Sequence, residues 1–285
     1  MLIVKMIGGL GNQMFQYAYA KVMEEKGYDV KIDISIFKTY TLHGGYQLDK
    51  FRITLNTSTK DENNQIYKKS LLNKLKYKLH FRNTNFIKEK TLLYQDRLLD
   101  LEDNKYIIGY FQSEQYFLNI RNTLLDEFRI KEELPKYIKK IENKIKETPS
   151  CSLHIRRGDF ENETNINIHG VCDLAYYYTA IDYLNNKFDN LQYFIFSDDI
   201  IWVKENLKIN NAIYIDYVDD KIPHYDMYLM SLCNHNIIAN SSYSWWGAWL
   251  NRNTEKIVIA PKKWFSDYKR NEQSKDIYCQ GWLQL

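Results

Sequence analysis

The stretch CSLHIRRGDF, residues 151–160, alternates apolar and polar side chains and then breaks into two arginines, a glycine and an aspartate. Successive side chains of a strand point to opposite faces, so Cys151, Leu153 and Ile155 share one side while Ser152, His154 and Arg156 share the other. The spacing therefore predicts a strand over 151–156 that ends in a cation, with Arg157 pointing away from His154 and Arg156. A guanidinium stays charged at any physiological pH and bonds phosphate oxygens in pairs. One arginine can bind a diphosphate while the other pairs with Asp159, or both can form ion pairs on a solvated loop.

Downstream, strand-like runs recur at 193–196, 212–215, 236–239 and 256–260. Between them fall helical patterns, the clearest being Leu174, Tyr177, Ile181, Leu184 and Phe188, followed by 224–233 and 244–250. Such alternation predicts a parallel, doubly wound sheet. The amino terminus reads as a βαβ opening: a strand at 2–7, a glycine turn, a helix from about Asn12 to Lys26 closed by Gly27, and a strand at 29–34. A further strand is expected at 106–111, and Leu134, Ile138, Ile141 and Ile145 line a helix that stops before Pro149. The expected boundary lies there, with one domain over 1–148 and a second over 149–285.

In open α/β sheets, ligands bind beyond the carboxyl ends of the strands. Three ends carry chemistry. His154, Arg156 and Arg157 close the first. The second is Ser197-Asp198-Asp199, where a carboxylate can accept N–H bonds from a guanine edge, hold a metal, or cap the helix starting near Ile200. The third is Asn240-Ser241-Ser242-Tyr243 leading into Ser244-Trp245-Trp246-Gly247, whose hydroxyls and helix N-terminus suit an anion, with N-capping as the plainer use of one serine.

The turn GGLGNQ, residues 8–13, begins like a dinucleotide-binding loop but departs from it. Gly9 and Gly11 match G-x-G-x-x-G, Met14 occupies the third glycine's place, and Asp33 is the only candidate ribose ligand. A tight turn that brings a substrate near the backbone at Gly9, with the Asn12 amide as a handle, fits better; a simple strand-to-helix turn is the alternative.

Composition narrows the class. The 285 residues carry 39 Lys and Arg against 36 Asp and Glu, a net +3 that excludes a dedicated nucleic-acid binder. No apolar run approaches the roughly 20 residues needed to span a bilayer, and Met1–Met6 is too short for a signal core, so a cytoplasmic protein is expected. The four cysteines lack C-x-x-C spacing and read as buried thiols, not a zinc or disulfide framework. Leu71, Leu72, Leu75 and Leu79 form a stripe among lysines over 68–81, either a helix packing its leucines inward or a weak contact with the inner face of a membrane.

Together, GGLGNQMFQYA (8–18), HIRRGDF (154–160), FSDD (196–199) and NSSYSWWGAWL (240–250) resemble the bacterial α-1,2-fucosyltransferases of glycosyltransferase family 11 over about residues 2–265. The resemblance implies a GT-B architecture: two Rossmann-like domains with parallel doubly wound sheets facing a cleft, the first on the acceptor side. It implies GDP-β-L-fucose as donor, the 2-hydroxyl of a terminal galactoside as acceptor, inversion at the anomeric carbon, and neither cofactor nor metal. By similarity, Arg156 would bind the β-phosphate, His154 and Asp198 would lie near the guanine, and Ser241, Ser242 and Tyr243 would meet the diphosphate. Arg157, Gly9 and Asn12 complete the expected donor contacts. Asp159 is expected to be essential, while no residue among Asp159, Glu161 and Glu163 is identified as the base. Another GDP-sugar transferase, such as an O-fucosyltransferase, and a non-catalytic nucleotide or polyanion binder are the rival readings.

Overall fold

The computed structural model describes residues 1–40, 42–67, 85–157, 170–216 and 222–285. The basic stripe at 68–81 and the carboxylates Asp159, Glu161 and Glu163 lie outside the described residues. The chain divides into two compact units, Met1–Lys131 and Glu132–Leu285.

In the first unit, β1 (Leu2–Lys5), α1 (Leu10–Glu25) and β2 (Val30–Asp33) form the expected βαβ opening. After α2 (Lys60–Ile66) come β3 (Phe86–Lys88), β4 (Lys105–Ile108) and α3 (Arg121–Glu127). The four strands run in the order β2-β1-β4-β3, and every pairing is parallel. A parallel sheet needs cover on its faces, and β1 accordingly buries Leu2, Ile3 and Val4 completely. Helix α1 is buried nearly all round, including Gln13 and Gln16. Each glutamine is satisfied by turn backbone: Gln16 pairs with both the N–H and C=O of Ile7, and Gln13 donates to the carbonyls of Gly8 and Gly45 while accepting from Gln47 N.

The second unit opens with α4 (Lys136–Glu147) and β5 (Ser150–Ile155), then α5 (Leu174–Asn185), β6 (Gln192–Ser197), α6 (Ile200–Asn206) and β7 (Ala212–Tyr214). There follow α7 (Pro223–Leu232), β8 (His235–Ile237), α8 (Ser242–Trp249), β9 (Val258–Ala260), α9 (Tyr268–Glu272) and β10 (Leu283–Gln284). The sheet order is β10-β9-β8-β5-β6-β7, again parallel throughout. Its core gathers Leu153 and Ile155 of β5, Tyr177 and Leu184 of α5, and Ile195 of β6. The α/β class expected for a GT-B protein is therefore present, as two units that each carry a wholly parallel sheet.

Two expectations need correction. The boundary falls between Lys131 and Glu132, not at Pro149, because α4 belongs to the second unit. It packs on α7, where the Tyr228 hydroxyl donates to Glu142 at 3.0 Å, and it buries Ile138 and Ile145. The strand expected at 106–111 ends at Ile108, since Phe111 adopts φ 52° and extended pairing cannot pass through it. The four cysteines are free thiols, three buried and Cys172 partly so. Among the described residues, no helix is long and apolar enough to cross a membrane.

Candidate active site

The six-stranded sheet is wound outward in two directions from its middle. The chain proceeds from β5 through β6 to β7 on one side, then returns to β8 beside β5 and continues to β9 and β10 on the other. The order reverses between β5 and β8, and that reversal leaves a crevice beyond the strand ends. Residues 154–157, 197–199 and 238–243 close the three strands around it, so the three loaded ends of the sequence meet at one place.

His154, the penultimate residue of β5, is 3 % exposed, and its ring lies 5.4 Å from that of Tyr243 in the first turn of α8. Its Nδ1 is buried and has no hydrogen-bond partner among the described residues. Burial pushes the imidazole pKa down to about 4; the Asp198 charge pulls the other way, and Arg156 adds to the depression. His154 is consequently neutral near pH 7, with a polar edge that no described residue satisfies.

Arg156 leaves the end of β5 and pairs with Asp198 Oδ2 at 3.1 Å. Asp198 Oδ1 also accepts the backbone N–H of Arg157 at 2.9 Å, so its carboxylate braces both arginines. The Arg157 guanidinium turns toward α6, 3.4 Å above the ring of Trp202 and 3.8 Å from Asp199 Oδ2. That is a packed cation–π position, and it supplies a shaping role through Trp202 and Asp199. Asp199 caps α6 by accepting from Trp202 N at 3.1 Å, so of the two adjacent aspartates one caps and the other holds the arginines.

At the third end, Ser241 is the N-cap of α8 and accepts from Tyr243 N at 3.3 Å. Ser242, partly exposed, begins the helix, where backbone N–H groups and the helix dipole favour an anion. The Tyr243 hydroxyl donates to the Pro223 carbonyl, which directs that phenol to α7 while its ring faces His154. Asn240, unassigned by sequence reasoning, ties the loop down: its amide donates to the carbonyls of Gly170 and Trp264 at 3.2 Å each. Trp202 was missed as well. Nothing in the local pattern of α6 marks that residue; only its position under Arg157 does.

Gly9 and Asn12 stand in the first unit. Gly9 is the N-cap of α1, and a Cβ on it would come within 3.2 Å of His43 Cβ. The Asn12 amide oxygen accepts from Gln112 Nε2 at 2.8 Å. Asp33 is not poised for a ribose: one carboxylate oxygen accepts from Ser35 N at 2.8 Å and the other from the Tyr106 hydroxyl. Among the described residues, no group of three or more His, Cys, Asp or Glu could hold a metal ion.

A cation, a buried imidazole and a helix N-terminus thus stand together at the switch point of this parallel sheet, groups whose chemistry suits an anion. The chain belongs to glycosyl transferase family 11, whose sequence model matches residues 1–285. It is 36% identical to an alpha-1,2-colitosyltransferase of Escherichia coli over 100% of this chain and 98% of that protein. It is 32% identical to the O-antigen biosynthesis glycosyltransferase WbnK of Escherichia coli, with 98% of each covered. The galactoside alpha-(1,2)-fucosyltransferase 2 of Pongo pygmaeus is 25% identical over 50% of this chain and 44% of its own. Among solved structures, the fucosyltransferase NodZ from Bradyrhizobium superposes with a TM-score of 0.49 at 13% identity, over 86% of this chain and 90% of that one.

Proposed function

We propose that the protein transfers L-fucose from GDP-β-L-fucose to the 2-hydroxyl of a terminal galactoside, with inversion at the anomeric carbon. The observation that carries this reading is the convergence of His154, Arg156, Ser241 and Ser242 at the switch point of the second unit, in a chain of glycosyl transferase family 11. Names of relatives support the linkage, since two of them are described as α-1,2 transferases.

Breaking the bond between the sugar's anomeric carbon and the β-phosphate develops negative charge on the departing diphosphate. A fixed cation and helix-terminal N–H groups stabilise that charge in the transition state without reorganising. Arg156 is the cation in this account, oriented by Asp198, and the first turn of α8 supplies the N–H groups. His154 offers its buried Nδ1 to the nucleotide. Arg157, packed on Trp202, holds the loop in shape, and Asp159 is retained as an essential residue without a role as base. We assign the first unit to the acceptor, and with it Asn12, which the resemblance counted with Gly9 among the donor contacts.

One observation favours a second donor. The relative that is 36% identical over the whole of this chain is described as a colitosyltransferase, and colitose is L-fucose without its 3-hydroxyl. Purified protein incubated with GDP-β-L-fucose or GDP-β-L-colitose and a panel of β-galactosides separates the cases. GDP release that depends on the galactoside, with a product 1,2-linked by NMR, supports the reading. Tight GDP binding without turnover favours a non-catalytic nucleotide binder, and transfer to a protein hydroxyl favours an O-fucosyltransferase.

A further inference from the structure

Glu89 lies directly after β3, at the strand ends of the first unit, and no motif of the sequence marks it. Its backbone N–H donates to the Ile108 carbonyl at 2.8 Å, which extends the pairing with β4 by one residue. Its carboxylate then reaches over the turn that follows β4, accepting from Tyr110 N at 2.6 Å and from Phe111 N at 3.2 and 3.3 Å. The turn is strained and crowded. Phe111 has φ 52°, a left-handed conformation that costs a bulky residue energy, and its ring stacks 3.9 Å from that of Tyr19. At Gly109, a Cβ would stand 2.7 Å from Glu89 Cβ and 2.6 Å from Phe111 Cζ.

This turn sits where the order of the four-stranded sheet reverses, between β1 and β4. The next residue, Gln112, donates its amide N–H to Asn12 Oδ1 at 2.8 Å, joining the β4 turn to the glycine turn after β1. Glu89 is thus the brace of a small polar platform at a switch point, the place where doubly wound sheets bind ligands. A neutral acceptor could hold the same N–H groups, yet the chain places a half-buried carboxylate there at a cost.

We propose that Glu89 is a positioning residue for the acceptor glycan: by gripping the Tyr110–Phe111 turn it holds the buried Gln112 against Asn12, and so presents the partly exposed Asn12 amide to the hydroxyls of a neutral sugar. The proposal rests on the transferase reading above, with the first unit as acceptor side. Burial pushes the Glu89 pKa up to about 7, and the two backbone N–H donors offset only part of that rise. The ionisable group that faces Glu89 is Tyr19 from α1, whose phenol is held well above its ordinary range by burial; the sequence neighbours Lys88 and Lys90 are exposed, and Tyr110 meets the carboxylate through its backbone N–H. The grip is complete when the carboxylate is ionised, because an anion accepts N–H bonds more strongly than the acid. Acceptor affinity therefore improves as pH rises through 7.

The test measures KM for lactose and for GDP-β-L-fucose between pH 6 and 8.5, for the wild type and for Glu89→Gln, which keeps shape and removes the titration. In the wild type, the lactose KM is expected to fall about tenfold from pH 6 to 8, following the ionised fraction of a group near 7, while the donor KM stays flat. Glu89→Gln is expected to show a raised lactose KM without the pH step and a donor KM like the wild type's. NMR gives a readout that does not depend on turnover: the amide protons of Tyr110 and Phe111 titrate with a midpoint near 7 in the wild type and not in the variant. Wild-type transfer with a lactose KM indifferent to both pH and Glu89→Gln overturns the proposal, as do turn amides that fail to titrate. Absence of any transfer by the wild type overturns the transferase reading and this role with it.

Discussion

Arg156 and Asp198 form a 3.1 Å ion pair across the ends of neighbouring strands, β5 and β6, whose register sets Ile155 beside Ser197. The Arg156 side chain is 23 % exposed and that of Asp198 20 %, so water screens the pair only in part. The same carboxylate accepts the Arg157 N–H, which fixes the backbone from which Arg156 departs. Orientation of the cation is thereby built into the fold, and that is the condition under which a charge contributes to catalysis by pre-organisation.

Arg156→Ala is expected to lower kcat/KM by at least about 100-fold, the usual consequence of losing one strong transition-state contact. Asp198→Asn keeps an oxygen for the Arg157 N–H but removes the counter-charge, so a smaller loss, about tenfold, is expected. Steady-state kinetics on variants with wild-type far-UV spectra checks both. Near wild-type turnover by a folded Arg156→Ala protein would remove the arginine from the mechanism.

The His154 imidazole has its pKa pushed from 6.5 down to about 4, first by burial, with Asp198 opposing and Arg156 assisting. A depressed folded-state pKa means the unfolded chain binds the proton more readily, so its stability contribution is intact above 6.5 and is lost as pH falls toward 4. Relative to His154→Phe, the wild type should lose on the order of 3 kcal/mol between pH 7 and pH 4. Urea unfolding of the two proteins at pH 7, 5 and 4 measures the difference. Parallel stability curves would contradict a buried neutral histidine.

Transfer is expected to proceed without a divalent ion, because Arg156 and the α8 N-terminus would already stabilise the leaving diphosphate. Initial rates in EDTA should lie close to those in Mg²⁺ or Mn²⁺. Abolition by EDTA with rescue by added metal would show that a carboxylate-held cation does the work instead, with Asp198 the first residue to test.

Helix α8 approaches α7 closely at Gly247, where a Cβ would lie 3.0 Å from Met230 Cβ and 3.1 Å from its Cε. Overpacking of this kind costs about 1–3 kcal/mol, and replacing a mid-helix glycine by alanine returns about 1 kcal/mol. Gly247→Ala should accordingly destabilise the protein by up to about 2 kcal/mol, read as a lower thermal midpoint. An unchanged or raised midpoint would mean that the flexible Met230 side chain yields at no cost.

Sequence by itself determined the elements whose signal is carried by neighbouring residues. Period-two alternation over 151–155 defines β5 and places His154 and Arg156 on one face, and one aspartate of 198–199 and one serine of the 241–242 pair were legible as caps, which the structure resolves to Asp199 and Ser241. The repetition of strand and helix was enough for a parallel α/β fold, since parallel strands require crossovers. What only the tertiary structure decided is adjacency. That β8 lies beside β5, bringing Tyr243 against His154, is set by which buried faces fit, and no local pattern encodes it. The boundary at Lys131 was hidden because the α4 periodicity shows an apolar face without showing what that face packs on. Asn12 with Gln112, and Glu89 with the Phe111 turn, were illegible for the same reason: distance along the chain adds little to the cost of closing a loop, so packing energy selects these partners from the whole sequence.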